Sequence, residues 1–185
     1  MEDRPDIVVL RDVGEDDLPL YYAMYASPEV MRYTLVDACQ SLEAYRPYFE
    51  RTLEDNRKPD RLLYEYAALL PDGRPIGMGN IKLLKADPGN AEIGYMLLSP
   101  YWGQGYGTNI AQQLIRMGFM DLGLKKVVAC CNANNLASEA VMKKCGMRRE
   151  AIFKAVRYKG GEWQDELRYA ITYADWSKMT HGSTI

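Results

Sequence analysis

The pattern of apolar and polar residues divides the chain into strand-like and helix-like segments, with no internal repeat, low-complexity tract or linker. Apolar residues that alternate or run together over a short stretch predict strands, whereas apolar residues recurring every three or four positions predict helices. The predicted order is one strand, two helices, three strands, a helix, a strand, a helix and two closing strands. Three meandering strands before a strand–helix–strand unit predict a mixed sheet with helices on both faces, an α/β fold.

The first third of the chain is predicted to be mostly helical. A strand with a continuous apolar run is predicted at Asp6–Arg11. A helix follows over Glu15–Ala26, where acidic residues in the first turn suit the positive end of the helix dipole, and a Ser-Pro pair ends it. A second helical stretch covers about Ser41–Asn56, and Pro47 predicts either a kink or a helix start within it.

The rest of the chain is predicted to be sheet with two helices. Leu62–Leu70 and Ile76–Leu84 predict a hairpin, because Pro71-Asp72-Gly73-Arg74 between them favours a turn. The further predicted segments are strands at Ala91–Leu98, Lys126–Cys131, Arg148–Tyr158 and Asp165–Tyr173, a helix after a glycine-rich stretch that ends at Gly123, and a helix at Asn135–Cys145.

Composition changes this picture little. The 185 residues are 48% hydrophobic and 26% charged, which suits one globular domain over residues 1–185. A net charge of -2 gives no general attraction for nucleic acid or an anionic membrane. The polar, acidic N-terminus does not resemble a signal peptide, and no apolar run approaches a membrane span, so we expect a cytoplasmic protein.

The histidine and cysteine content limits the kinds of catalytic and metal sites that the chain can form. His181, near the C-terminus, is the one histidine, which argues against Ser-His-Asp and Cys-His enzymes and against zinc sites. The four cysteines, Cys39, Cys130, Cys131 and Cys145, form no C-x-x-C pair and are expected to be buried free thiols. Catalysis here must therefore use carboxylates, hydroxyls, backbone amides or a cofactor, and no metal is expected.

Three glycines at alternate positions, Gly103, Gly105 and Gly107, lie between a predicted strand and a predicted helix. Glycine lets the backbone turn tightly and expose its N–H groups, and a helix start adds unpaired N–H groups and a positive dipole end. This predicts a phosphate site, with a tight turn that binds nothing as the alternative. The spacing is neither that of a Walker loop nor that of the dinucleotide fingerprint.

The motifs around these glycines resemble the GNAT acetyltransferase superfamily, and most closely its Rim-type branch of ribosomal-protein N-terminal acetyltransferases. Residues Trp102–Thr108 resemble its coenzyme A pyrophosphate loop, and Ala91–Leu97 resembles its fourth strand. Asn135–Ser138 resembles its N-x-x-S motif and Lys144–Met147 the K-x-G-F/M that closes the next helix. Asp165–Trp176 resembles the closing strand with its D-W ending, so the resemblance covers about residues 7–176.

The chain departs from the family pattern at two places in this loop. Gly107 stands where the family often has alanine, and Thr108-Asn109-Ile110 stands where it often has Thr-Glu-Ala. Glycine keeps the backbone free to approach phosphate. Loss of the carboxylate affects no expected cofactor contact, but it weakens assignment to a particular subfamily.

The resemblance implies a fold, a cosubstrate and a set of site residues. It implies a mostly antiparallel seven-stranded sheet that splays apart between strands 4 and 5, where acetyl-coenzyme A binds. The backbone of Tyr95, Met96 and Leu97 would hold the pantetheine, and the N–H of Met96 or Leu97 would stabilise the oxyanion. The remaining implied cofactor-binding residues are Trp102, Gly103, Gln104, Gly105, Tyr106, Gly107, Thr108, Asn135 and Ser138.

Direct attack of an amine on the thioester needs a base for the amine and an acid for the departing thiolate. Glu92 on the predicted fourth strand is our candidate base, acting through water, because a half-buried carboxylate can have a raised pKa. Ser138 or a tyrosine, for example Tyr169, is the candidate acid. The alternatives are a solvent-facing Glu92, a Ser138 hydroxyl that bonds the helix backbone, and a Tyr169 that packs in the core.

The acceptor and the partners are left open. A protein N-terminus and a small amine are both compatible with the sequence, and so is a homodimer. Tyr21, Tyr22, Tyr25 and Tyr33 lie in the region that borders the acceptor groove in this superfamily, although packing on the sheet also explains them. The alternative function is a non-catalytic acyl-coenzyme A-binding sensor or scaffold, and a nucleotide-dependent oxidoreductase fits the glycine spacing poorly.

Overall fold

The computed structural model describes residues 7–181, which form one seven-stranded sheet in the order β1-β2-β3-β4-β5-β7-β6. The β4–β5 pair is parallel and the other five neighbouring pairs are antiparallel. The mixed fold predicted from the sequence is therefore confirmed. The strands are β1 (Val9–Asp12), β2 (Leu63–Leu69), β3 (Pro75–Leu83), β4 (Asn90–Leu97), β5 (Lys126–Asn132), β6 (Arg148–Lys159) and β7 (Glu162–Thr172).

Helices cover both faces of the sheet. One face packs against the first and third helices, and the other packs against the last three. The helices are α1 (Leu18–Tyr25), α2 (Pro28–Met31), α3 (Leu42–Arg57), α4 (Tyr106–Met120), α5 (Leu136–Lys144) and α6 (Tyr173–His181).

The predicted helices and strands differ from the observed ones mainly at their ends. Helix α3 begins after its N-cap Ser41 and continues through Pro47, so a helix start at that proline is wrong. The predicted Asp6 start of β1 lies outside the described residues. Two short helices were missed. Ser27 caps the amide of Val30 and so begins α2, and the Thr172 hydroxyl accepts from the Asp175 amide where α6 begins.

Two hydrophobic cores hold the layers together. The larger core lies between the sheet and α4, where Ile110, Leu114 and Ile115 are buried against Ile81 and Ile93. The second core lies under α1 and α3 and includes Tyr21, Met24, Phe49, Ala67 and Met78. Alternate residues of a strand point to opposite faces, so the central strands are apolar on both sides.

The parallel pairing between β4 and β5 is short. Asn90, Ala91 and Glu92 pair with Lys126, Val127 and Val128, and the two strands are not paired beyond these residues. The sheet therefore opens between the C-terminal halves of β4 and β5, as the resemblance predicted. None of the helices over residues 7–181 is long and apolar enough to cross a membrane.

Candidate active site

A cleft of about 600 Å³ lies where β4 and β5 part. It brings together segments that are distant in sequence. Its walls come from β4, the glycine-rich loop, β5, α5, the α2 region and β6. The lining residues used below are Glu29, Arg32, Tyr33, Thr34, Tyr95, Met96, Leu97, Trp102, Gly103, Gly105, Gly107, Thr108, Cys130, Cys131, Asn132, Asn135, Ser138, Lys144 and Arg157.

The glycine-rich loop presents backbone amides at one part of the cleft. Gly103 and Gly105 have φ angles of 74° and 89°, a left-handed conformation that side chains disfavour. Gly105 is the N-cap of α4, where no side chain of the described residues provides a capping bond, and the first turn holds no acidic residue. The first amides of α4 are therefore available to an anion, which suits a pyrophosphate.

The side chains of two loop residues lie outside the cleft, which is compatible with the expectation that this loop binds pyrophosphate through its backbone amides. Gln104 and Tyr106 lie away from the cleft, at a shallow depression that Arg74 also borders. The Gln104 amide donates to the Pro100 carbonyl at 2.8 Å, and the Tyr106 ring packs edge-on against Tyr101. The other predicted cofactor-binding residues all line the cleft. Gln104 and Tyr106 can therefore contribute there through their backbone alone.

Strand β4 offers its peptide groups to the cleft in alternation. The Leu98 amide donates to the Ile76 carbonyl of the β3 side at 3.0 Å, and Asn90 accepts from Leu84 at 3.0 Å. In an antiparallel ladder every second residue bonds to the same neighbour, so Met96 also faces β3. The N–H groups of Tyr95 and Leu97 point instead towards the opening. Of the two N–H groups predicted as oxyanion donors, that of Leu97 points towards the opening and that of Met96 points towards β3.

Trp102 links the loop to this strand. Its indole N–H donates to the Leu97 carbonyl oxygen at 2.9 Å. The bond holds the end of β4 against the start of the loop. The peptide unit next to the cleft-facing Leu97 N–H is thereby fixed from both sides, because its carbonyl accepts from Trp102 and its Leu98 N–H donates to Ile76.

A pair of hydroxyl groups lies inside the cleft. The Tyr95 and Ser138 hydroxyl oxygens are 3.0 Å apart, and the Tyr95 hydroxyl also lies 3.2 Å from the Ser138 carbonyl oxygen. Ser138 is held because its own amide donates to the side chain of Asn135, the N-cap of α5, at 3.1 Å. Burial raises the pKa of Tyr95. The sequence analysis expected a tyrosine near Ser138 and gave Tyr169 as the example. For Tyr95 it predicted a role of the backbone alone.

Tyr169 does not lie in the cleft. Its hydroxyl donates to the Glu139 carboxylate at 2.6 Å, and its ring is buried among the residues of the larger core. Burial, together with the bond to Glu139, raises its pKa. Tyr169 pairs with Ala129, two residues before the cleft residue Cys131, so it lies outside the cleft lining, and its role as an acid stays a prediction from the sequence.

Glu92 lies beside the cleft and not in its wall. It is half-buried at the last residue pair that joins β4 to β5, opposite Val128. It is close enough to Cys130, a cleft residue, for its charge to help raise the pKa of that thiol. Glu92 therefore stays a candidate base that would need a water molecule to reach the acceptor amine.

The thiols in the cleft are poor nucleophiles. Cys130 and Cys131 lie on β5 with no disulfide, and burial is the main cause that raises the pKa of each to about 11. A thiol with such a pKa is almost entirely protonated at neutral pH. In residues 7–181 no group of histidine, cysteine and carboxylate side chains is arranged to hold a metal ion.

Paired charges form the β6–β7 side of the cleft. Arg157, which lines the cleft, forms an ion pair with Glu166, and both side chains are 17% exposed. Nearby on the same sheet half, Glu150 lies 2.6 Å from Lys126 and 3.8 Å from Arg168. Residue patterns gave no indication of these pairs, because they join strands across the sheet.

The tyrosines of the N-terminal region divide between packing and the cleft. Tyr33 lines the cleft. Tyr21 is buried and donates to the Glu65 carboxylate at 3.2 Å, and Tyr25 stacks on Tyr45. Packing on the sheet therefore explains Tyr21 and Tyr25, and Tyr33 is the one of the four in the cleft wall.

Comparison with known proteins supports the assignment of class. Residues 8–148 match the family model described as an acetyltransferase (GNAT) domain. The uncharacterized N-acetyltransferase YnaD of Bacillus subtilis (strain 168) is 42% identical over 86 residues, 46% of this chain and 51% of that protein. The putative ribosomal N-acetyltransferase YdaF of the same organism is 31% identical over 110 residues, 60% of each chain. The chain thus spans about half to three fifths of the length of these relatives.

Solved structures share the fold. A spermidine N-acetyltransferase from Vibrio cholerae in complex with CoA and spermine has a TM-score of 0.82 at 16% identity, over 92% of this chain and 98% of that chain. RimL, a ribosomal L7/L12 α-N-protein acetyltransferase in complex with coenzyme A, has a TM-score of 0.79 at 20% identity, over 90% of this chain and 94% of that one. At such identities the likeness is one of fold.

The parted strands and the glycine-rich helix start define an acetyltransferase fold. The matched model covers most of the chain, so the protein belongs to the GNAT acetyltransferase family. The resemblance to the GNAT acetyltransferases that the sequence motifs indicated is therefore confirmed.

Proposed function

We propose that the protein transfers the acetyl group of acetyl-coenzyme A to a primary amine, by direct attack of the amine on the thioester. The observation that supports this is one cleft that holds the glycine-rich loop, the β4 peptide groups and the Tyr95–Ser138 pair. The groups that would donate to phosphate, to the thioester oxygen and to the leaving sulfur thus line one cleft. The products are the N-acetylated amine and free coenzyme A.

The loop and α5 would bind the phosphates of acetyl-coenzyme A. The uncapped amides at the start of α4 suit the pyrophosphate, as described above. Lys144 lines the cleft from the last turn of α5 and would supply a cation for a phosphate group. The cleft-facing peptide groups of Tyr95 and Leu97 would bind the pantetheine as a neighbouring strand does.

Three groups would assist the chemistry. The Leu97 N–H would donate to the thioester oxygen as charge develops there. Glu92, through a water molecule, would take the proton that the acceptor ammonium must lose. The Ser138 hydroxyl, relayed by its contact with Tyr95, would give a proton to the coenzyme A thiolate.

We propose that the acceptor carries a single amine, such as a peptide N-terminus or a small monoamine, and is not a polyamine. The charged residues that line the cleft are Glu29, Arg32, Lys144 and Arg157, so basic residues outnumber acidic ones. Arg157 is already neutralised by Glu166. A polyamine would bring several positive charges to a wall that offers no surplus carboxylate.

Calorimetric titration with acetyl-coenzyme A, followed by thiol release with N-terminal peptides, monoamines and spermidine, tests the proposal. We expect micromolar binding, and turnover with a peptide or a monoamine above that with spermidine. Gly105→Asp should weaken binding by at least about a hundredfold, since it places a carboxylate where phosphate must approach. Gly160→Asp, at another left-handed glycine with open space around it, is the matched control. Unchanged binding by a folded Gly105→Asp variant would remove the loop from the cofactor site.

The Glu92 role is tested separately. Glu92→Gln should lower kcat by at least about tenfold, with acetyl-coenzyme A binding unchanged, because the acceptor ammonium would lose its base. A parental kcat in this variant would assign the base to another group. Binding without turnover on any amine would favour the alternative of a non-catalytic acyl-coenzyme A-binding module.

A further inference from the structure

Lys159, near the end of β6, makes an unusual set of contacts. Its ammonium donates to three backbone carbonyl oxygens, those of Met31 at 2.8 Å, Thr34 at 3.0 Å and Val36 at 2.7 Å. A lysine ammonium has three N–H donors, so all of them are used. The side chain is 17% exposed, whereas Asp37, 3.6 Å away, is 91% exposed and adds little.

All three carbonyls belong to one short stretch, Met31–Val36, which we call the 31–36 segment. Its other hydrogen bonds are local, because the Thr34 amide and hydroxyl bond to Met31 and Val36 within the segment. Met31 is buried and anchors one end, but Leu35 is 72% exposed and Val36 is 55% exposed, so apolar packing holds the other end weakly. Lys159 ties it to a strand more than a hundred residues away in sequence.

The 31–36 segment forms part of the cleft. Arg32, Tyr33 and Thr34 line the cleft together with Arg157, which lies two residues before Lys159 on β6. These residues are separate from the glycine-rich loop and from α5, the parts that fit the cofactor phosphates. The segment and β6 therefore form the wall that remains for the acceptor.

We propose that Lys159 is a positioning residue that holds the 31–36 segment in place as the acceptor wall. This inference rests on the proposed function, because it assigns the wall to the amine that is acetylated. Lys159 acts through backbone carbonyls and touches neither substrate. Lys159 fixes the positions of the Tyr33 ring and the Thr34 backbone relative to Arg157.

The chemistry of the contact favours lysine over arginine. An ammonium is a compact charge whose three donors diverge from one atom, so three carbonyls can converge on it. A guanidinium is a flat fork, which suits two acceptors in its plane and not three around a point. Lys159→Arg is therefore expected to restore the contact in part, and Lys159→Met to remove it while keeping the apolar stem.

Hydrogen exchange measured by mass spectrometry tests the positioning without any acceptor. The hydrogen-bonded amides of Arg32 and Thr34 should exchange at least about tenfold faster in Lys159→Met, with Lys159→Arg between it and the parent, because the bonds that fix their segment to a charged group are lost. Lys154→Met is the matched control, since Lys154 lies on the same strand, is 75% exposed and pairs with Asp165. Unchanged exchange in Lys159→Met would overturn the positioning role.

Steady-state kinetics with the amine found by the thiol-release screen tests the functional part. In Lys159→Met the KM for the amine should rise about tenfold while the Kd for acetyl-coenzyme A stays within about twofold. Lys159→Arg should recover part of the KM. Faster exchange with an unchanged amine KM would overturn the assignment of the segment to the acceptor. Absence of thiol release in the parent protein would instead count against the proposed function and leave the exchange result standing.

Discussion

The two halves of the sheet, β1–β4 and β5–β7–β6, meet at three residue pairs and are covered differently. In the first half both faces are mostly apolar, with Ile81 under α4 and Met78 under α1, and Glu65 is a buried exception. In the second half Val127 and Ile171 pack in the larger core, but the opposite face carries polar and charged side chains. On that face lie Cys130, Asn132, Arg157, Glu166 and Arg168.

Under the proposed function, this difference would leave room for an acceptor in the second half of the sheet. Helices α1 and α3 pack on β2 and β3, so they cover only the first half of their face. The second half of that face is left to strand side chains that pair with one another and to the 31–36 segment. Stability is therefore concentrated in the first half, and the polar groups that can meet a substrate are concentrated in the second.

The largest effect on stability is expected where a new side chain is placed in the packed half of the sheet, β1–β4. In Gly77→Ala the new Cβ would overlap the Met96 carbonyl oxygen and approach a Leu97 methyl group at 2.8 Å. We expect a loss of about 3 kcal/mol in the free energy of unfolding, measured with urea. Gly107→Ala, whose Cβ would meet Val141 at 3.6 Å, is the control and should be neutral or up to about 1 kcal/mol more stable. A fully stable Gly77→Ala would mean that β3 and β4 are not closely packed.

Glu65 tests the packed half through pH. Burial raises its pKa to about 7, although Tyr21 and Asn80 hydrogen-bond to it. Its pKa is thus higher in the folded than in the unfolded chain, so stability is fully present below about pH 4 and falls by about 3 kcal/mol as pH rises through 7. Glu65→Gln should lack this fall in unfolding experiments between pH 5 and 8. The exposed control Glu162→Gln should keep it, and equal slopes in all three proteins would contradict the burial argument.

The Tyr95–Ser138 pair lies where the two halves part. Tyr95→Phe and Ser138→Ala should each lower kcat by roughly tenfold to a hundredfold, because each breaks the proton path to the thiolate. The double variant should be little worse than either single one, since the two hydroxyls act as a unit. Thiol-release kinetics at saturating acetyl-coenzyme A measures this. Effects that multiply in the double variant would show two independent roles.

The smallest effect on the free energy of unfolding is expected in the second half of the sheet, β5–β7–β6, at the irregular part of β6. Ala155 has a φ angle of 50°, a strained conformation for alanine, and its amide donates to Asp165. Ala155→Gly should stabilise the fold by roughly 0.5–1 kcal/mol after the entropy of glycine is subtracted. Gly160→Ala, with a φ of 63° and open space around it, should cost about 1 kcal/mol by the same backbone effect. Thermal unfolding of both variants measures whether strain or side-chain contact governs β6.

Neighbouring residues were enough to predict the parts of the structure that depend only on turns and helix ends. The glycine-rich loop was predicted because left-handed turns and an uncapped helix start need particular residues at adjacent positions. The missed helix α6 shows the limit of this reasoning. The apolar pattern of β7 runs on to Tyr173, and the Thr172 hydroxyl that caps the Asp175 amide decides where the strand ends.

Contacts between distant segments could not be predicted in the same way. Tyr95 and Ser138 are 43 residues apart, and which tyrosine meets the serine depends on how α5 lies over the sheet. Lys159 and Met31 are 128 residues apart, and no periodicity connects them. The sequence therefore predicted that residues of the glycine-rich loop and β4 line the cleft, but of the 31–36 segment it indicated only Tyr33, and it gave no indication that β6 also lines the cleft.

The alternation along β4 has a consequence for how such a protein can change over time. Under the proposed function, the cofactor is held there by the peptide groups of Tyr95 and Leu97, and every amino acid except proline carries those groups. Mutation can therefore replace most side chains along the strand without erasing its hydrogen bonds to the cosubstrate. Such a protein can therefore change in sequence and acquire new acceptors while it continues to bind coenzyme A. Binding through the backbone is in this sense a structural basis for evolvability.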